Sequence, residues 1–240
     1  VLTVVTFRWQ PAPGYRSKFG PAEVNTLFRM VDRHYQAPHR NVCVTDDPRG
    51  LDRTIEVVPL WDDFAAIPSP HGPGNPSCYR RLKLFDPSIA SLLGPRFVCL
   101  DLDTVIVGDL RPLWDRTEDF MIWGETNPKS FYNGSMFMLT AGARPQVWTD
   151  FDPRVSPRLT KRAGRFGSDQ GWISYCLGPG EATWGRDDGV YSFRVHLEPN
   201  NGGEDLPANA RIVMFHGKVD PWSWKGQRLA WVREHYGVPA

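Results

Sequence analysis

The segment Arg96 to Leu102 (RFVCLDL) constrains the fold of this chain more than any other. In an extended strand, Val98 and Leu100 fall on one face and Phe97 and Cys99 on the other, so both faces are apolar. A strand of that composition must be covered on both sides, which predicts a mostly parallel central sheet with helices on both faces. The strand runs directly into Asp101-Leu102-Asp103. Two carboxylates one residue apart at the end of a buried strand are strongly disfavoured unless they are paired or bound to a cation. In an open α/β sheet, the crevice outside the carboxyl ends of the strands is also where ligands bind.

The flanking pattern agrees with an α/β chain. VLTVVTFRW (Val1 to Trp9) reads as a first strand. Val24, Leu27, Phe28 and Val31 then follow at helical spacing, with Pro21 suited to the first turn. RNVCVT (Arg40 to Thr45) and TIEVVPL (Thr54 to Leu60) read as further strands, and Tyr79 to Phe85 as a helix. Beyond the central strand come strands around Met121 to Trp123, Ser135 to Leu139 and Ile212 to Phe215, with helices near Arg144 to Phe151 and Asp169 to Cys176. With 240 residues, 41% of them hydrophobic, residues 1–240 can form one domain around one core.

Other classes are disfavoured by composition. Lys and Arg total 28 against 27 for Asp and Glu, without a block of like charge, so no nucleic-acid partner is expected. No apolar run approaches the roughly 18 to 20 residues of a transmembrane segment. No basic-then-apolar leader pattern opens the chain, and a cytoplasmic location is the expectation. Cys43, Cys78, Cys99 and Cys176 lack CxxC spacing, and most read as small buried hydrophobes suited to a reducing compartment. Asn133-Gly134-Ser135 is a formal glycosylation sequon.

By itself Asp101-x-Asp103 is weak evidence, because such a pair can cap a turn and bond a nearby base such as Arg111. Its company gives it weight. A second apolar strand, RIVMF, ends in His216-Gly217-Lys218, an imidazole, a small residue and a cation at another strand end. Two carboxylates and an imidazole suit a hard divalent cation, Mn²⁺ or Mg²⁺, and a glycine between them lets a ligand approach the backbone. Of ten tryptophans, Trp61, Trp148 and Trp231 sit in apolar patterns and read as core, whereas Trp222 and Trp224 read as a site rim.

The run YRRLKLFDPSIASLLGPRFVCLDLDTVIVGDLRPLWD (Tyr79 to Asp115) resembles the central block of glycosyltransferase family eight and its bacterial relatives. Tyr132-Asn133-Gly134-Ser135, Ser168-Asp169-Gln170 and Phe215-His216-Gly217-Lys218 resemble that family's later blocks, in the same order, as far as Trp222. The resemblance implies a single GT-A (Rossmann-like) domain, with residues 1–110 as a nucleotide-binding half and 111–240 as an acceptor and metal-completing half. It implies a cation, Mn²⁺ or Mg²⁺, on Asp101, Asp103 and His216. Thr6, Arg8 and Trp9 would receive the base and ribose of a nucleotide-sugar donor, with Arg81, Leu102, Gly217 and Lys218 also on the donor and Lys218 on its diphosphate. Asn133, Asp169 and Gln170 would hold the transferred sugar. The donor is expected to be a UDP-sugar and the transfer to retain configuration; the acceptor, whether glycan, lipid-linked or protein, is not specified.

One departure stands out: Asp220 occupies a position where the family carries a second base, which leaves Arg16, Lys18 or Lys225 as substitutes. Two other classes remain open from the residues. A nucleotidyltransferase or sugar-nucleotide pyrophosphorylase would need a basic, Gly-rich loop, which Gln10 to Gly20 matches only in part. A non-catalytic carbohydrate-binding protein would use the tryptophans but has no need of carboxylates at a strand end.

Overall fold

The computed structural model describes residues 1–10, 19–68, 70, 77–124 and 130–237. Its centre is a seven-stranded sheet in the order β3-β2-β1-β4-β7-β6-β8. The strands are β1 (Leu2–Arg8), β2 (His39–Thr45), β3 (Glu56–Pro59), β4 (Arg96–Leu100), β6 (Phe120–Trp123), β7 (Asn133–Thr140) and β8 (Thr183–Trp184). Only β7 runs against the others, pairing antiparallel with β4 and β6. A smaller sheet is built from β5 (Thr104–Ile106), β10 (Ile212–Met214) and β9 (Val190–Ser192), with β10 antiparallel to β5 and parallel to β9.

The expected two-faced burial is found. Val98 and Leu100 of β4, Met136 and Met138 of β7, and Leu2 and Val4 of β1 pack into one core. Their alternates Phe97, Cys99, Phe137, Leu139 and Val5 pack into a second core on the opposite face. The first face is covered by helix α1 (Pro21–His34), by α8 (Ala230–Tyr236) and by the small sheet. A 3₁₀ segment (Cys78–Phe85), α4 (Gln146–Thr149) and α6 (Asp169–Leu177) cover the second. Short helices α2 (Ala90–Leu93), α3 (Arg111–Trp114), α5 (Ser156–Arg162) and α7 (Trp224–Gln227) complete the chain. No helix among the described residues is long and apolar enough to cross a membrane.

Three local expectations need correction. Tyr79 to Phe85 forms a 3₁₀ rather than an α-helix. Tyr79, Leu82 and Phe85 are all buried, and a three-residue repeat places them along one edge of the tighter helix. The helix expected from Arg144 to Phe151 shrinks to Gln146–Thr149, because Arg144 adopts a positive φ of 54° and Pro145 follows it. β4 ends at Leu100 rather than Leu102; the Asp101 amide still donates to the Ser135 carbonyl at 2.9 Å, and the Thr104 hydroxyl then closes a turn on the Asp101 carbonyl at 2.7 Å. The cysteines follow expectation, being free, with Cys43, Cys78 and Cys99 buried.

Helix α1 begins with Pro21, and Glu23 bonds back to the Gly20 amide at 2.6 Å. Its carboxyl end is tied to β2 through Asp32, which accepts from Asn41 at 2.8 Å and lies 3.0 Å from His39 Nε2. The hydrogen bond with Asp32 is the main cause that raises the His39 pKa against the lowering effect of burial, and the same bond lowers that of Asp32. A raised histidine contributes stability fully below its unfolded value of about 6.5 and loses it as pH rises through the folded value. The excess unfolding free energy of the wild type over Asp32→Asn is therefore expected to shrink from pH 6 to pH 8, as urea denaturation of both at each pH will show; His34, His216 and His235, whose pKa values burial lowers, act in the opposite direction but alike in both proteins.

Candidate functional site

The carboxyl ends of β1 and β4, the start of β7, the end of β10 and the amino terminus of α6 meet at one cleft of about 700 Å³. Asp101 and Asp103 enter it from the loop between the two sheets. That loop is fastened on both sides: the Asp101 amide donates to Ser135 of β7, and the Phe215 amide beyond β10 donates to the Asp103 carbonyl at 2.8 Å. Leu102 between them is buried in the first core and touches the cleft from below, while both aspartates line it.

Beneath the cleft lies Arg81, its side chain only 13% exposed. Its Nη1 is 3.0 Å from Asp101 and 3.6 Å from Asp169, and its Nη2 donates to the Gly134 carbonyl. Burial alone would lower the Arg81 pKa; the carboxylates of Asp101 and Asp169 outweigh it and raise the pKa. Asp169 is the first residue of α6, whose N-cap Ser168 accepts from the Gly171 amide at 3.3 Å. Gly171 has to be glycine, since a Cβ there would lie 1.9 Å from the Phe166 carbonyl.

Asn133 and Gln170 complete the middle of the cleft. The Asn133 carboxamide accepts from the Ser135 amide at 2.9 Å, and Gln170 accepts from the Gly134 amide at a long 3.4 Å. Gly134 leaves room for this, because a Cβ there would approach Gln170 to 3.3 Å. Asn133 is only 5% exposed, which makes the sequon unavailable to a glycosylating enzyme in the folded chain.

His216 lies at the far side, with Nε2 2.7 Å from the Ser192 hydroxyl and its ring edge-on to Trp123. Burial, reinforced by the charge of Arg194 and opposed by Asp101, pushes His216 down to about 4. It is therefore neutral at pH 7 and keeps a ring lone pair. Cys78 also lines the cleft, but burial holds its thiol well above the ordinary range, so it is not a ready nucleophile.

Of the residues singled out in the sequence, Trp9, Arg81, Asp101, Leu102, Asp103, Asn133, Asp169, Gln170, His216 and Gly217 line this cleft. Thr6, Arg8 and Lys218 do not. Thr6 is fully buried and donates to the Leu100 carbonyl at 2.8 Å, while Arg8 is turned to Asp47 and the Phe19 carbonyl. Strand alternation is the reason: Phe7 shares a face with Trp9 and lines the cleft with it, leaving Thr6 and Arg8 on the opposite face. Lys218 is exposed beyond Gly217. Arg81 is bonded to protein carboxylates and a carbonyl, whereas Arg111, the alternative base for the aspartates, pairs with Asp109 instead. Arg16 and Lys18 lie outside the described residues. Trp222 packs against Phe19 at the cleft edge, and Trp224 is 68% exposed.

The cleft also contains residues that sequence patterns did not single out: Phe7, Phe19, Lys161, Phe166 and Arg194. Phe7 was detectable from the period of β1; the others lie in segments without a periodic or motif signal.

No protein-family model matches the chain, and no curated protein matches it. Solved structures do. LgtC, a galactosyltransferase crystallised with donor and acceptor sugar analogues, matches with a TM-score of 0.62 and 15% identity over 99% of this chain and 97% of its own. The glycosyltransferase GlyE of Streptococcus pneumoniae TIGR4 matches at 0.62 and 11% identity over 99% of this chain, which spans 61% of GlyE. The bifunctional WbbM matches at 0.57 and 12% identity over 94% of this chain, which spans 47% of WbbM. The fold is that of glycosyltransferases. It is the GT-A architecture that the sequence resemblance implied, and within it the motif residues from both halves of the chain face one cleft.

Among the described residues, no three His, Cys, Asp or Glu side chains are gathered closely enough to cage a metal ion. Asp101, Asp103 and His216 nonetheless line the same cleft, with donor chemistry suited to a hard divalent ion. That combination fits a cation completed by substrate oxygens, the usual arrangement where carboxylates share a magnesium-like ion with phosphates.

Removing Arg81 leaves the carboxylate of Asp169, 10% exposed, without its cation. Arg81→Met is expected to destabilise the protein by about 3 kcal/mol in urea unfolding, the range for breaking one side of a buried pair. Adding Asp169→Asn to that variant should recover part of the loss.

Proposed function

We propose that the chain is a metal-dependent glycosyltransferase that moves a sugar from a nucleotide-sugar donor, of the UDP type, to an acceptor. The observation that carries this reading is the convergence of Asp101, Asp103, Asn133, Asp169, Gln170 and His216, from four separate parts of the chain, on one cleft of a glycosyltransferase fold. A carbohydrate-binding protein has no use for three carboxylates in that cleft. The loop on which a nucleotidyltransferase reading depended falls, for residues 11–18, outside the described structure.

In this reading Trp9 and Phe7, whose rings lie 6.0 Å apart at the end of β1, receive the base. Asp101, Asp103 and the neutral His216 would hold Mn²⁺ or Mg²⁺. A bound cation supplies Lewis-acid neutralisation of the charge that develops on the leaving nucleoside diphosphate. Asn133, Asp169 and Gln170 would fix the transferred sugar by hydrogen bonds to its hydroxyls. Asp169 is held at 3.6 Å by Arg81 and is only 7% exposed, which favours an orienting role over covalent attack on the anomeric carbon. With retention, which the resemblance implies, an orienting Asp169 leaves front-side attack of the acceptor as the route. Phe166, 51% exposed on the opposite wall, offers a ring face on which an acceptor sugar can stack.

Thermal unfolding with UDP in the presence of Mn²⁺ tests the donor site. The wild type should be stabilised, and chelating the metal or substituting Asp103→Ala should remove the shift; the same shift without metal would contradict the cation site. Proton NMR of the first-formed glycoside tests the stereochemistry, and an inverted product would remove the front-side mechanism.

A further inference from the structure

A nucleoside diphosphate needs cationic partners besides the metal, and the sequence resemblance assigns Lys218. That side chain is exposed and outside the cleft lining. Arg81 is bonded to Asp101 and Asp169, and Arg8 faces Asp47. Two cations line the cleft with no hydrogen bond or ion pair among the described residues: Lys161, on the wall with Phe166, and Arg194, on the wall with His216.

The position of Arg194 is set by the small sheet. β9 and β10 run parallel with Ser192 opposite Met214, and beyond Ser192 the chain enters a single π-helical turn, Phe193–Leu197, that carries Arg194 at the same end of the sheet as His216. The rings of Phe193 and Phe215 stack at 4.4 Å with planes 8° apart, which fixes that continuation. Ser192 then accepts from the Val195 amide at 3.0 Å and bonds His216 at 2.7 Å, joining the turn that carries Arg194 to the imidazole. The arginine stem lies across Gly217, where a Cβ would come within 3.1 Å of its Cδ. Gly217 thus provides the surface over which the guanidinium is presented to the cleft.

We propose that Arg194 is the side chain that binds the donor's diphosphate, in the role the resemblance gives to Lys218; the assignment rests on the transferase reading above. It also accounts for the departure at Asp220, a buried carboxylate where the family has a second base, since the missing charge is supplied from the neighbouring strand end. A guanidinium suits this role because its planar fork can bond two phosphate oxygens at once.

Isothermal titration with UDP and with uridine, both in Mn²⁺, tests the assignment on the wild type and on R194Q, R194K and K218Q. Arg194 is exposed, so its variants should melt as the wild type does. R194Q is expected to weaken UDP binding by about tenfold to a hundredfold, the value of charge-assisted hydrogen bonds, and to leave uridine binding unchanged. R194K should recover part of the loss, and K218Q should bind as the wild type does. The assignment is overturned if R194Q binds UDP as tightly as the wild type, or if it loses UDP and uridine equally, which would mark a structural role. A wild type that binds no nucleoside diphosphate overturns the transferase reading itself, a result distinct from wild-type binding that survives in R194Q.

Discussion

The cleft depends on one buried guanidinium. Arg81 joins the 3₁₀ segment to the end of β4 through Asp101, to the amino terminus of α6 through Asp169, and to β7 through the Gly134 carbonyl. Asp169 is only 7% exposed, so a fixed counter-charge is needed to hold its carboxylate in place. The same cation reaches Asp101, so the two carboxylates are oriented together and the elements that carry them are locked in one arrangement. Arg81 thereby ties together the elements that frame the cleft, and it also lines the cleft in which the sequence resemblance implied a donor contact.

A second constraint comes from the loop that carries the aspartates. It leaves the large sheet at β4 and enters the small sheet at β5, with backbone hydrogen bonds to Ser135 on one side and from Phe215 on the other. The backbone of Asp101 and Asp103 is thus fixed by two sheets at once, while their side chains face the cleft. His216 follows the strand that supplies the second of those bonds.

Much of this was legible from residue order. The two-faced apolar pattern of β4 specified a covered central strand, and the blocks around Asp101, Asn133, Asp169 and His216 specified which polar residues had to meet. Thr6 and Arg8 lie outside the cleft lining, because the period of β1 separates them from Phe7 and Trp9. Lys218 is adjacent to a residue of the site and still faces solvent, because the chain turns at Gly217, whose φ is 155°. The 3₁₀ geometry of Cys78–Phe85 was ambiguous, since its apolar residues satisfy helical spacing nearly as well as a three-residue repeat.

Arg194, Lys161 and Phe166 belong to a different category. Their segments have neither periodicity nor motif, and their roles exist only because β9 lies parallel to β10 and because α5 and the loop after it form the opposite wall. By itself, the sequence determined the class of sheet and the buried strand ending in Asp101-Leu102-Asp103, because burial and strand period are local properties of the chain; that Asn133, Asp169 and Gln170 join those aspartates was implied by the family resemblance. The tertiary structure decided which cations are bonded to the protein and which remain to face a ligand. That division depends on long-range neighbours: Arg81 is taken up by carboxylates from the end of β4 and from α6, whereas the Arg194 guanidinium lines the cleft above Gly217 without a hydrogen bond or ion pair among the described residues.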